Sequence, residues 1–292
     1  MTKKAAQNDG AGGTDRKIMA TILDELADSA AGRVAQDKER IPEKEMRVRA
    51  EEISATESHR YSRGTGKNRF ESALALPGMS FICEVKKASP SKGVIAEAFP
   101  YLEIAKEYET AGADAISVLT EPTRFLGSDV YLEDVAKAVK VPVLRKDFIV
   151  DLYQIYQTKV LGASAVLLIV SLLKEKLSLY LETATQLGLG ALVEVHDETE
   201  ANHAVHAGAR VIGVNNRDLK TFDVDTGLTA RLRDFVPDGT IFVAESGIKT
   251  AEDVRAMGEA GANAVLIGEV LMRAEDKAAA LKALRGRGES HG

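Results

Sequence analysis

One short motif, repeated four times at intervals of about 50 residues, constrains this chain more than any other feature. Ala111-Gly-Ala-Asp-Ala-Ile-Ser-Val118 returns as Leu161-Gly-Ala-Ser-Ala-Val-Leu-Leu168, Ala207-Gly-Ala-Arg-Val-Ile-Gly-Val214 and Ala260-Gly-Ala-Asn-Ala-Val-Leu-Ile267. In each copy the glycine suits a left-handed residue that ends a helix, and small residues then lead into an apolar run of strand character. Such runs occur at 80–86, 115–120, 141–146, 164–170, 190–195, 211–215, 240–245 and 264–268, each followed by an amphipathic stretch rich in Ala, Glu and Lys. Alternating β and α at this spacing predicts a parallel sheet. Eight units, two to each copy of the repeat, predict a closed (β/α)8 TIM barrel. An open doubly wound sheet has the same rhythm, but the first strand is not followed by the glycine fingerprint of a dinucleotide-binding turn.

The barrel is expected over 79–285. Before it, 16–78 reads as a helical extension. Ile18, Ile22 and Leu26 fall at helical spacing, the charged segment around 40–60 reads as a second surface helix, and a short helix from Phe70 to Leu76 is ended by Pro77-Gly78. Residues 1–15 and 286–292 are polar, glycine-containing and aperiodic, and read as disordered tails. The charged extension is a candidate lid over the barrel mouth. A net charge of -6 disfavours nucleic acid and anionic membrane as partners. No apolar run approaches the roughly 20 residues of a membrane helix, and the start of the chain lacks the apolar core of a signal peptide. The lone cysteine, Cys83, excludes an internal disulfide, in keeping with a cytoplasmic setting.

In a barrel of this kind chemistry gathers where the strands end. Along Phe81-Ile-Cys-Glu-Val-Lys86 side chains alternate, so Ile82, Glu84 and Lys86 share one face while Cys83 and Val85 share the other, packed under the helices. A carboxylate and an ammonium on an apolar strand are costly unless used. The later strands end in Lys146, Glu194, Asn215 with Arg217, Glu245-Ser-Gly247 and Ile267-Gly-Glu269. Singly, each reads as a solvated rim charge. Together they converge on one mouth and supply lysine acids beside carboxylate bases. Gly247 and Gly268 each precede a predicted helix, whose free N–H groups attract anions, so a small phosphorylated substrate is expected. Weaker signals are set aside. Gly64-Thr-Gly-Lys67 lacks the first glycine and the preceding strand of a phosphate loop. His203 and His206 sit three apart on an outer helix with no third ligand nearby, so no metal is expected.

The chain resembles the indole-3-glycerol-phosphate synthase family. The matching runs are Glu84-Val-Lys-Lys-Ala-Ser-Pro-Ser-Lys-Gly93, Val118-Leu-Thr-Glu121 with Phe125-Leu-Gly-Ser128, Leu144-Arg-Lys-Asp-Phe148, Val193-Glu-Val195, Asn215-Asn-Arg-Asp-Leu219, Glu245-Ser-Gly-Ile248 and Leu266-Ile-Gly268. The resemblance implies closure of an indole ring on 1-(2-carboxyphenylamino)-1-deoxyribulose 5-phosphate, with loss of carbon dioxide and water and without a cofactor. It implies Lys86 and Lys146 as proton donors and carboxylate partners, Glu194 as general base, and Glu84 and Asn215 as orienting groups. Ser246 would contact substrate. Ser89, Gly247, Gly268 and the backbone of Glu269 would hold phosphate, with the Glu269 side chain turned away. Phe125, Phe148 and Leu219 would line an aromatic pocket, and Arg217 would brace nearby groups. A monomer or weak homodimer is expected. Rival readings are a phosphoribosyl isomerase, the α subunit type of tryptophan synthase, a Schiff-base aldolase and a catalytically silent barrel; the paired lysines argue against the first two.

Overall fold

Eight parallel strands close on themselves in chain order, each hydrogen-bonded to the next and the last to the first. The computed structural model describes residues 21–61, 68–219 and 221–286. The strands are β1 Ser80–Val85, β2 Ala115–Leu119, β3 Val143–Lys146, β4 Ala165–Ile169, β5 Gly190–Val195, β6 Val211–Asn215, β7 Ile241–Glu245 and β8 Ala264–Ile267. Closure is set by the pairs Ser80↔Ala264 and Ile82↔Ala115, which tie β1 to β8 and to β2. The expected tails fall outside the described residues, apart from Gly286, as do Ile18 and Gly64–Lys67.

Alternation along the strands builds two separate cores. Ile82, Ala115, Leu144, Leu167, Leu192, Val243 and Leu266 fill the barrel, whereas Cys83, Val85, Ile116, Val166, Leu168 and Val193 pack under the helices. Cys83 is fully buried there, and burial pushes its thiol well above the usual range. The repeat motif works as its chemistry requires. Gly112, Gly162, Gly208 and Gly261 follow helix ends at φ of 90°, 83°, 86° and 86°, a region where a Cβ is strained. Gly188, at φ 70°, does the same in a unit the repeat does not mark.

Three helices precede the barrel. In α1 (Ile22–Arg40), Thr21 and Asp24 form a reciprocal cap at the start. Its first turns carry Ile22, Leu23 and Leu26 to the mouth. α2 (Glu43–Tyr61) buries Met46 and Ala50 against α6 (Leu152–Val160), and Glu57 pairs with Lys159 at 2.6 Å, so it is a packed element rather than a loose surface helix. α3 (Arg69–Leu74) plugs the opposite end: Phe70 and Leu74 are fully buried, and Glu71 pairs at 2.8 Å with Arg210, just before β6.

The extension is fastened to the mouth by charge. Asp147, buried just past β3, accepts from Arg33 of α1 at 2.8 Å, from Thr120 Oγ1 at 2.7 Å and from Arg145 at 3.2 Å. Arg145 is itself only 1% exposed and is held further by Asp129 and by Gln157. Burial opposes the Asp147 charge, but Arg145 and Arg33 outweigh it and hold its pKa below the ordinary aspartate value. Because that pKa is depressed, the stabilisation is complete above the ordinary range near pH 4 and fades as pH falls below it. Asp147→Asn is expected to cost about 3 kcal/mol at pH 7, since it leaves buried cations uncompensated. In denaturant titrations the gap from wild type should narrow markedly at pH 3.

Candidate active site

The strand ends bring five of the expected residues to one cavity. It has a volume of about 750 Å³, within the range of small-ligand sites. Glu84, Lys86, Lys146, Glu194 and Asn215 all line it, and each lies at or just past the C-terminal end of its strand, on β1, β3, β5 and β6.

Lys146 is the hub. Its Nζ lies 3.3 Å from Glu194 Oε2 and 3.4 Å from Glu245 Oε2, with the lysine side chain 15% exposed and both carboxylates 2%. Burial works against the ammonium, but Glu194, Glu245 and Glu84 outweigh it and raise its pKa. The two carboxylates are driven apart. Burial would raise Glu194, yet Lys146, then His196 and Asn215, overcome it and hold the group ionised well below the usual range. Glu245 is pushed up to about 7 by burial and by the nearby charges of Glu194 and Glu84, which Lys146 only partly offsets. Two carboxylates whose proton affinities diverge in one pocket mark an acid/base site. A second pair completes the rim: Lys86 Nζ sits 2.9 Å from Glu84 Oε2.

Neighbouring backbone makes room for these groups. A Cβ at Gly213 of β6 would come within 2.3 Å of Glu245 Oε1, and one at Gly268 within 3.0 Å of both Glu84 Oε2 and Lys86 Nζ. The glycines are therefore clearance positions for charged side chains, a role that β6 and β8 play through close approach rather than unusual φ.

One wall is apolar. Ile22, Leu23 and Leu26 of α1 face Phe125, Phe148 and Leu219 across the cavity lining, and the two phenyl rings are 6.1 Å apart at 40°. Phe125 is held by Glu121, fully buried, whose carboxylate accepts from the backbone N–H groups of Thr123, Arg124 and Phe125. The first turns of the extension thus form part of the pocket wall. Arg217 donates to the Phe222 carbonyl at 2.9 Å, and its N–H donates to Asn215 Oδ1 at 3.1 Å, so it braces the loop after β6.

The other wall is polar. Ser89, Ser246, Gly247, Gly268 and Glu269 line it, joined by Lys249 and Arg273. Ser89 lies in a short antiparallel hairpin, Ala88–Ser89 paired with Gly93–Val94. Ser246 and Gly247 are both left-handed, at φ 65° and 83°. A non-glycine residue held there at a pocket is stored strain of the kind found at functional sites. Gly268 is the N-cap of α12 (Glu269–Arg273) as expected. Gly247 departs from the expectation. α11 (Ala251–Glu259) begins after Thr250, whose hydroxyl accepts from the Asp253 amide while the Asp253 carboxylate accepts from the Thr250 amide, so Gly247 does not stand at the helix end. The Glu269 carboxylate accepts from Arg273 Nε at 3.2 Å, four residues further along the same helix.

Two members of the cluster had no role in the sequence reading. Glu245 was visible as the last residue of β7 on the inward face, but its partner Lys146 is 99 positions away in sequence. His196 lies two residues beyond Glu194, on the same face by alternation, and touches it; no motif sets it apart from a rim histidine.

Comparisons with known proteins point one way. The family model described as indole-3-glycerol phosphate synthase matches residues 23–284. A protein of that name from Lachnoclostridium phytofermentans is 49% identical over 90% of this chain and 98% of the relative. One from Ruminiclostridium cellulolyticum is 58% identical over 74% and 84%. Among solved structures, a 3-hexulose-6-phosphate synthase superposes with a TM-score of 0.56 at 20% identity, covering 71% of this chain and 98% of that one. A thiamine phosphate pyrophosphorylase from Pyrococcus furiosus does so with 0.54 at 17%, covering 74% and 95%. These two likenesses speak for the barrel fold alone.

Proposed function

The chain belongs to the indole-3-glycerol phosphate synthase family, and from that premise we propose how its barrel mouth divides the work. The enzyme is a carboxy-lyase of tryptophan biosynthesis. It converts 1-(2-carboxyphenylamino)-1-deoxyribulose 5-phosphate to indole-3-glycerol phosphate, releasing carbon dioxide and water.

The observation that carries the assignment of roles is Lys146 between two buried carboxylates of opposite tendency. Lys146 protonates the substrate ketone, which makes its carbon electrophilic enough for attack by the aromatic carbon that bears the carboxylate. The iminium so formed takes up the electron pair as carbon dioxide leaves. Removal of a proton from the adjacent carbon and protonation of the hydroxyl then expel water and complete the indole. Glu194 is the base. While Lys146 is charged, Glu194 is a weak one; once Lys146 has given up its proton, the cation that depressed Glu194 is gone and its basicity rises. Glu245, titrating near neutrality, returns protons to Lys146. Lys86, held by Glu84, is the second acid and pairs with the substrate carboxylate; Asn215 orients Glu194.

The anthranilate ring lies against Phe125, Phe148 and Leu219, closed over by α1. The phosphate lies at the other wall, on Ser89, Ser246, Gly247, Gly268 and the Glu269 N–H, with Lys249 and Arg273 nearby. A monomer or weak homodimer is part of the proposal, and the lone cysteine, buried, is in keeping with a cytoplasmic setting.

The protein contains no tryptophan, so indole emission reports product against a tyrosine background. Adding substrate in the presence of EDTA is expected to give a catalytic rise, which Lys146→Met abolishes. No rise from folded protein, or full activity in Lys146→Met, would reject the assignment. Gly213→Ala, by pushing Glu245 off Lys146, is expected to lower kcat roughly ten- to a hundredfold with little change in KM.

A further inference from the structure

Counting charge at the mouth exposes an imbalance. Glu84, Glu194 and Glu245 are each no more than 3% exposed, and among the described residues Lys86 and Lys146 are the lysines within ion-pair distance of them. Glu245 relieves part of this excess of negative charge by titrating near neutrality, which leaves Glu194 as the carboxylate that must stay ionised in a pocket that also accepts an anionic substrate. Such a cluster either takes up a proton or recruits another cation.

His196 is placed to be that cation. It lies one residue beyond β5. Its Nε2 is 3.2 Å from Glu194 Oε1, an ionic contact rather than an aligned hydrogen bond, and its Nδ1 is 3.1 Å from Glu200 Oε2 in the first turn of α9 (Glu198–His206). Glu200 also accepts from the His196 backbone N–H at 2.9 Å, which fixes it to the ring. The imidazole is therefore lodged between two carboxylates. Burial alone would discharge it, but Glu194 and Glu200 outweigh burial and push it up to about 10. Among the described residues, the charges that act on it are those of Glu194 and Glu200, and α7 (Val170–Leu173), packed beside α9, presents Val, Ser and Leu only. In the turn Arg233–Phe235, which also touches α9, Arg233 is engaged by the Val236 carbonyl and Asp238. Beyond Glu194 stand Lys146 and then Glu245.

We infer that His196 is a positioning residue for the base: its imidazolium holds Glu194 Oε1, leaving Oε2 to Lys146, and supplies the charge that keeps Glu194 ionised after Lys146 has surrendered its proton. The two oxygens of one carboxylate thus have separate tasks. The constant cation on Oε1 is needed most at the moment when the cation on Oε2 disappears. This inference rests on the proposed role of Glu194.

The test is the pH dependence of kcat and KM from pH 5 to 10 for wild type, His196→Gln, His196→Lys and Glu200→Gln, followed by indole emission. The cluster titrates as a unit. Removing a cation favours its protonated forms, so the acid limb of kcat for His196→Gln should move up by about one unit, roughly a tenfold loss at pH 6. Activity should recover to within about threefold of wild type at pH 9, where the carboxylates are ionised without help. His196→Lys should restore the acid limb. Glu200→Gln, which leaves the pocket lining intact, should shift it in the same direction by less and serves if His196→Gln does not fold. An equal loss at every pH, or an unmoved limb, would overturn the inference while leaving the enzyme's reaction in place; absence of turnover in wild type would instead reject the reading on which it rests.

Discussion

Everything at this barrel mouth depends on one ammonium held between two carboxylates where water scarcely reaches. An isolated charge in that position would be neutralised or expelled. Lys146 persists because Glu194 and Glu245 lie within 3.4 Å of it, and they remain buried because it is there. The fold is arranged around this requirement. Alternation along β3, β5 and β7 points the three side chains inward, and barrel closure brings strands far apart in sequence into one ring. Gly213 gives Glu245 the space that a methyl group would take.

The same residue couples the site to the N-terminal extension. Lys146 stands between Arg145 and Asp147, and both neighbours belong to a buried network that runs through Thr120 to Arg33 of α1. The helix that supplies Ile22, Leu23 and Leu26 to the apolar wall is thereby anchored one residue from the acid. Apolar recognition at one wall and proton transfer at the centre share a rigid support, which is what holding reacting groups in a narrow range of geometries demands.

Much of this was legible in the sequence, and the failures have physical causes. The eight strands and their order followed from the repeat, because a glycine that ends a helix and an apolar run that enters a barrel obey local rules. The inward set of Glu84, Lys86, Lys146, Glu194 and Asn215 followed from alternation and position. Missing were facts that exist only after closure. Glu245 owes its raised proton affinity to burial and to the charges of Glu194 and Glu84, which lie on other strands and which Lys146 only partly offsets. His196 carries no motif, and its second carboxylate, Glu200, arrives from a helix. The helix expected right after Gly247 begins three residues later, since Thr250 and Asp253 form the actual cap. The hairpin that carries Ser89 is too short to leave a periodic trace.

The central claim is that the two carboxylates flanking Lys146 have been driven to opposite proton affinities in the resting enzyme. Difference infrared spectroscopy of the protonated carboxyl stretch, followed from pH 4 to 9, measures this directly. The account predicts one buried carboxyl that titrates near pH 7 and whose band vanishes in Glu245→Gln but persists in Glu194→Gln. No carboxyl titrating above pH 5, or a band that disappears with Glu194 instead, would contradict it.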